Sequence, residues 1–282
     1  MINRKLRIGR IPYANLFPIF YALERVGDFS AYEFVEGVPS RLNRMLRDGM
    51  VDVSPSSSIE YLRYPSFYRI VEGHSISSRG PVGSIFLFSE RPIEELGGAD
   101  IAVTSQSETS VALLSIILKK FYGLRCTLTV TDDPENSGKE AFLLIGDDAL
   151  KYSTGVRKRA STEEKNFGTA GLPVFRACGL MMYDLGDIWY NRTGLPFVFA
   201  LWIMRPEARR NKKLFDKFLA DLEHAKEYAL QHLPEIAKHA PARSFMSEED
   251  ILDYWNKLDY ELTEDHKKGL DLFGKYIKEL KL

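Results

Sequence analysis

One local pattern constrains this chain more than any other: a strand, then a short polar loop, then a helix, repeated through its first half. Residues 6–11 read as a strand that breaks at Pro12-Tyr13-Ala14-Asn15. Residues 16–25 then have helical apolar spacing, with Pro18 tolerable because it lies in the first turn. Residues 32–38 form the next strand and 41–47 the next helix, stopped by Gly49. The short strand 51–53 opens onto Ser54-Pro55-Ser56-Ser57-Ser58, and a helix begins at Ile59. A second round follows: strands at 85–88 and 101–103, a polar loop at 104–110, a helix at 111–121, and strands at 127–130 and 142–145. This alternation predicts an α/β fold, and 282 residues suit about two domains.

The remainder reads differently. Residues 151–171 are rich in Ser, Thr, Lys, Arg and Gly and lack periodicity, which predicts an exposed loop or small insertion. Residues 183–191 are expected to hold a helix starting at Asp184, whose side chain is a good N-cap, and residues 197–204 form a long apolar strand. From Pro206 onward the chain reads as helix, with a capping box at Ser247-Glu248-Glu249-Asp250 and a cap at Thr263.

Composition narrows the class. Lys plus Arg number 38 against 39 Asp plus Glu, a balance that argues against a nucleic-acid partner. No run of about 18 apolar residues predicts a membrane span, and the first residues lack the apolar core of a signal peptide. A soluble cytoplasmic protein is expected. Cys126 and Cys178 stand in no CxxC pair and near no His, so no metal and no cofactor is expected, and both are read as buried small apolar residues.

The usual catalytic signatures do not occur: no GxGxxG, Walker loop, HExxH or GxSxG. Of the five histidines, His224, His232, His239 and His266 fall in the helical tail and read as surface positions, leaving His74 near a candidate site. The hydroxyl-rich loops are the better signal, because open α/β sheets bind ligands beyond strand C-termini, at helix N-termini. Thr104, Ser105 and Thr109 lie in one such loop and Ser56 in another; a carboxylate or phosphate would suit them, and plain helix capping also explains them. Asp147, in Gly146-Asp147-Asp148, is either an acid–base group or an acidic helix start. Tyr183, Trp189 and Tyr190 read as core.

Several stretches together resemble the menaquinone-biosynthesis dehydratases of the futalosine pathway, which act on chorismate. They are Ile8-Gly9-Arg10-Ile11-Pro12-Tyr13-Ala14-Asn15-Leu16-Phe17-Pro18, Gly37-Val38-Pro39-Ser40-Arg41-Leu42-Asn43 and Asp52-Val53-Ser54-Pro55-Ser56-Ser57-Ser58-Ile59-Glu60-Tyr61. Further matches are Ser77-Ser78-Arg79-Gly80-Pro81-Val82-Gly83-Ser84, Leu144-Ile145-Gly146-Asp147, Tyr183-Asp184-Leu185-Gly186-Asp187-Ile188-Trp189 and Thr193-Gly194-Leu195-Pro196-Phe197-Val198-Phe199-Ala200. The resemblance covers about residues 5–205. It departs at 151–173, a segment longer than the family pattern suggests.

The resemblance implies a two-lobed, periplasmic-binding-protein type II-like fold with a central cleft and a helical C-terminal tail. Lobe 1 is expected to take residues 1–88 and 202–282, and lobe 2 residues 89–201. The family's active-site asparagine falls on Asn15 and its serine on Ser84. The implied reaction is dehydration of chorismate to 3-[(1-carboxyvinyl)oxy]benzoate, with substrate-assisted proton removal. Ser56, Thr104, Ser105, Thr109 and Asp147 are expected to line the pocket. A dihydroxynaphthoate synthase of the same pathway is the sister alternative; that branch is expected to use a histidine in the second lobe, and residues 90–200 hold none. A non-catalytic small-anion binding protein is the other.

Overall fold

The computed structural model describes residues 5–26, 29–160, 175–177 and 179–282. Its strands are β1 (Leu6–Arg10), β2 (Tyr32–Glu36), β3 (Val53–Ser57), β4 (Arg69–Ser78), β5 (Ile85–Ser89), β6 (Asp100–Thr104), β7 (Thr127–Thr131), β8 (Ala141–Ile145), β9 (Phe175–Ala177), β10 (Leu180–Asp184) and β11 (Phe197–Met204). Its α-helices are α1 (Phe17–Val26), α2 (Pro39–Arg47), α3 (Ser58–Arg63), α4 (Glu108–Ile116), α5 (Gly146–Ala160), α6 (Leu185–Thr193), α7 (Lys212–Gln231), α8 (Leu233–Ala237), α9 (Glu248–Trp255) and α10 (Glu264–Leu280). They form two compact units: Met1–Ser77 with Val198–Thr263, and Ser78–Phe197 with Glu264–Leu282.

The sheet of unit 1 runs β2-β1-β3-β11-β4. β1 is parallel to β2 and β3, and β11 is antiparallel to β3. β3 is buried along its whole length despite three serines. Its Pro55 has no N–H to give a neighbour, and β1 registers with β3 only at Ile8↔Val53, whereas β11 follows β3 from Val53 to Ser57. Gly9 permits the close approach: a Cβ there would collide with the side chain of Ser54. Phe20 of α1 and Phe218 of α7 close the core against Trp202, at 5.8 and 6.1 Å between ring centres.

The sheet of unit 2 runs β7-β6-β8-β5-β10-β9. β6 is parallel to β7 and β8, while β5 is antiparallel to β8 and β10. Phe88 stacks on Phe142 at 5.2 Å. Trp189 is fully buried against Phe197 and Phe273, and Tyr183 is buried too, as the core reading expects. Helix α10 packs on α4, and Gly269 lies so close to the Pro196 carbonyl that a Cβ would collide with it.

Several elements differ from the sequence-based expectation. The last helix is part of unit 2, and the units divide at 77/78, 197/198 and 263/264, where the sequence suggested 88/89 and 201/202. Strand β5 pairs wholly within the second sheet, with β8 and β10. Residues 151–160 are helix and not loop: Ala149, Leu150, Ser153 and Val156 are buried at helical spacing behind a polar outer face. The rest of that expected loop, 161–171, lies outside the described residues, as does Cys178. Helix α4 starts at Glu108, three residues earlier than expected, because the Ser107 hydroxyl accepts the Ser110 N–H. Strands β4 and β10 have no clear local signal; β4 is completed by distant backbone, with Ser75 N–H donating to the Tyr260 carbonyl at 3.0 Å.

Candidate active site

In unit 2 the pairing registers bring four strand ends to one edge of the sheet. β6 and β8 run parallel, so Thr104 and Gly146-Asp147 leave the sheet side by side. β5 opposes β8 with Ile85↔Ile145, which sets Ser84 at the same edge. β10 opposes β5 with Asp184↔Phe86 and ends there as well. Helices α4, α5 and α6 each begin directly from this edge. Three helix N-termini at one place favour negative charge.

The side chains there are mostly committed. Ser84 is buried, and its carbonyl accepts the Gly146 N–H at 2.8 Å. Buried Thr104 accepts the Gln106 N–H through Oγ1 at 3.2 Å. Ser105 is exposed and donates its hydroxyl to Asp132 at 2.5 Å. Thr109 stands in the first turn of α4 and is buried, so it is a helix residue and not the loop residue expected. Asp147 is half-buried in the first turn of α5.

One carboxylate organises this edge. Oδ1 of Asp184 accepts the N–H groups of Gly186 at 3.0 Å and Asp187 at 3.2 Å, which caps α6 as the sequence suggests. The same oxygen accepts the Val82 N–H at 3.0 Å, and Oδ2 accepts the Gly83 N–H at 2.7 Å. Burial pushes this carboxyl up to about 6, against the pull of those N–H donors.

In unit 1 the corresponding turn is 13–16, between β1 and α1. The Asn15 carbonyl accepts the Tyr260 hydroxyl at 2.7 Å, and the Ala14 carbonyl accepts the Trp255 indole N–H at 2.8 Å. Among the described residues, the buried Oδ1 of Asn15 and the buried hydroxyl of Ser56 have no protein hydrogen-bond partner, and neither do Ser58 Oγ and Asn43 Oδ1. A buried polar atom left so costs about 1–3 kcal/mol, which a ligand would offset.

His74 has charged neighbours of its own in unit 1. It is buried in β4 with Nε2 3.1 Å from Glu223, and Lys226 bridges Glu223 and Glu261 at 3.0 and 2.9 Å. Burial, with Lys226 nearby, lowers its pKa to about 4. His266 is fully buried in α10, against the expectation of a surface position. Cys126 is half-buried, and burial pushes its thiol up. No group of three or more His, Cys, Asp or Glu among the described residues could hold a metal ion, and no described helix is long and apolar enough to cross a membrane.

Sequence reasoning found Asp184 as a helix cap and missed its reach to Val82 and Gly83. It missed Trp255 and Tyr260 altogether; the only signal was a buried-type aromatic with a polar tip in an amphipathic tail.

Comparison with known proteins gives the chain its relatives. A family model described as menaquinone biosynthesis matches residues 6–279. A chorismate dehydratase from Thermus thermophilus is 32% identical over 274 residues, covering 96% of this chain and 94% of that protein. A crystal structure of an Archaeoglobus fulgidus protein superposes with a TM-score of 0.75 at 18% identity, covering 98% of each chain. The periplasmic aliphatic sulphonate binding protein of Escherichia coli gives 0.62 at 13% identity, covering 99% of this chain and 88% of that one. At such identities the structural likeness speaks for a periplasmic-binding-protein-like fold alone. The family match is nearly full length: this chain belongs to the menaquinone-biosynthesis family.

Proposed function

We propose that this chain is a chorismate dehydratase, converting chorismate to 3-[(1-carboxyvinyl)oxy]benzoate in menaquinone biosynthesis. The observation that carries the reading is the 32% identity to a chorismate dehydratase across 96% of the chain. The reaction removes the ring hydroxyl as water together with one ring proton, and the C–H electron pair completes the aromatic ring. Aromatisation supplies much of the driving force, so the protein's task is to hold a dianion in a reactive shape.

Asn15 and Ser84 are the residues we assign to the reacting part of the substrate. Asn15 offers amide donors to a carboxylate or to the departing hydroxyl, and Ser84 a hydroxyl. Ser56, Thr104, Ser105, Thr109 and Asp147 are assigned to substrate binding. The helix N-termini at the unit 2 edge suit a substrate carboxylate. This set contains no imidazole or thiol. We therefore assign proton removal to the substrate's own enolpyruvyl carboxylate, folded over the ring, which carries the proton to the leaving hydroxyl. We place the enzyme in the cytoplasm; cell fractionation with an antibody to the chain checks that.

The test is incubation of the purified chain with chorismate, followed by mass spectrometry. A product lighter by one water, with the enolpyruvyl arm intact, is expected. Binding without turnover, or turnover only of a cyclic futalosine, would overturn the reading.

A further inference from the structure

The turn that carries Ser84 has no regular secondary structure of its own between Gly80 and Ser84. Its glycines, Gly80 at φ +108° and Gly83 at φ +76°, take left-handed backbone conformations. Such a segment keeps one shape only if something outside it holds it. The structure assigns that task to Asp184: we propose that it is a positioning residue, whose carboxylate fixes the turn from Val82 to Ser84 against the start of α6. The inference rests on the reading of Ser84 as a substrate-contacting group.

The division of labour between its two oxygens supports this. Oδ1 takes both helix N–H groups and that of Val82, while Oδ2 is given to Gly83, the residue before Ser84. A helix cap needs only the first oxygen. A second contact locks the same pair: a Cβ on Gly186 would stand 2.7 Å from the Gly80 carbonyl and 2.9 Å from Ser78 Oγ, so turn and helix are already at closest approach. The charged group facing Asp184 is Asp187, whose repulsion adds to burial in favouring the protonated form. The ionised carboxylate accepts strongly at both oxygens; a proton on either weakens that oxygen as an acceptor.

Asp184→Asn tests this directly, because it keeps Oδ1 and replaces Oδ2 by an NH2 that confronts the Gly83 N–H. Amide hydrogen exchange is read on peptides covering 79–88, from about pH 5 to 8 and corrected for intrinsic rates. Steady-state turnover of chorismate is measured over the same range. The expected result is exchange roughly tenfold faster in the variant. We also expect kcat lower by roughly 10- to 100-fold with KM within about twofold. Wild type should lose kcat as pH falls through about 6, where a proton weakens Asp184 as an acceptor, and the variant should lack that step. Gly186→Ala leaves the carboxylate intact and should loosen the turn at every pH, which keeps the proposal open to refutation if Asp184→Asn does not fold. Unchanged exchange at 79–88 in the folded variants makes Asp184 a helix cap only and overturns the proposal, whatever the kinetics. Failure of wild type to turn over chorismate would remove the functional reading instead, and the exchange result would still decide for or against the clamp.

Discussion

The two turns proposed to act on the substrate are held in opposite ways. In unit 1 the turn at Asn15 is gripped by its carbonyls, which accept from the neutral donors Trp255 and Tyr260. In unit 2 the turn before Ser84 is gripped by its N–H groups, which donate to one carboxylate. The Tyr260 hydroxyl is raised well above its usual range by burial, so the first grip does not change with pH near neutrality. The second does, because Asp184 ionises near 6. One consequence concerns stability. A carboxyl whose folded pKa lies above its ordinary 3.8 lends stability below that value and loses it as pH rises through about 6. The fold therefore gives up stability at neutral pH to keep the ionised clamp, and the neutral grip of unit 1 carries no such cost.

The largest expected effect is on the neutral side. Asn15→Asp keeps size and shape but sets a negative charge beside the dianionic substrate that Asn15 is proposed to contact. Like charges about 4 Å apart at an effective dielectric near 20 cost about 4 kcal/mol, or roughly two to three orders of magnitude in turnover or binding. Near-normal activity in a folded Asn15→Asp protein would leave Asn15 a turn residue.

Tyr260→Phe sharpens the comparison. It removes the donor to the Asn15 carbonyl, an interaction worth about 1 kcal/mol or somewhat more when the acceptor stays buried. A several-fold fall in kcat is expected, with the shape of the pH profile unaltered. A new acid limb would break the contrast between the two grips.

Smaller still is the stability change in Asp184→Asn. At about pH 7.5 relief of the buried charge offsets the lost Gly83 bond, so its Tm should lie within about 3 °C of wild type while turnover falls. A collapse of Tm would mean that the carboxylate is chiefly structural.

His74 should touch turnover least of all. Its folded pKa, near 4, lies below its ordinary 6.5, so the stability it lends is present above 6.5 and lost as pH falls towards 4. Wild type should melt at progressively lower temperature over that window, and His74→Gln should show a shallower slope with unchanged kcat at neutral pH. A kcat loss there would bring the Glu223 and Lys226 network into the chemistry.

Much of this was legible in the sequence where the signal is local. Strands β5, β6, β8 and β11 stand as apolar runs, β1 reads as a strand ended by Pro12, and the caps at Asp184 and Ser247 need only residues two and three positions ahead. What stayed hidden depends on distance along the chain. The Asp184 to Val82 bond spans 102 residues and the Tyr260 to Asn15 bond 245. Strand β4 is polar, carries Gly73 at positive φ, and gains its place from backbone near residue 260. The start of α4 differs from the sequence reading because Thr109 and Ser110 read as loop chemistry, whereas Ser107 makes them the first turn of a helix.

Asn15 and Ser84 are proposed to serve one transition state. The measurement that tests it most directly is a double-mutant cycle on kcat/KM for chorismate, using Asn15→Ala, Ser84→Ala and the pair, each checked for folding by circular dichroism. Residues that act together on one reacting group are strongly non-additive, so each single change should cost a large factor and the pair little more than the worse single. Costs that simply multiply would contradict the claim.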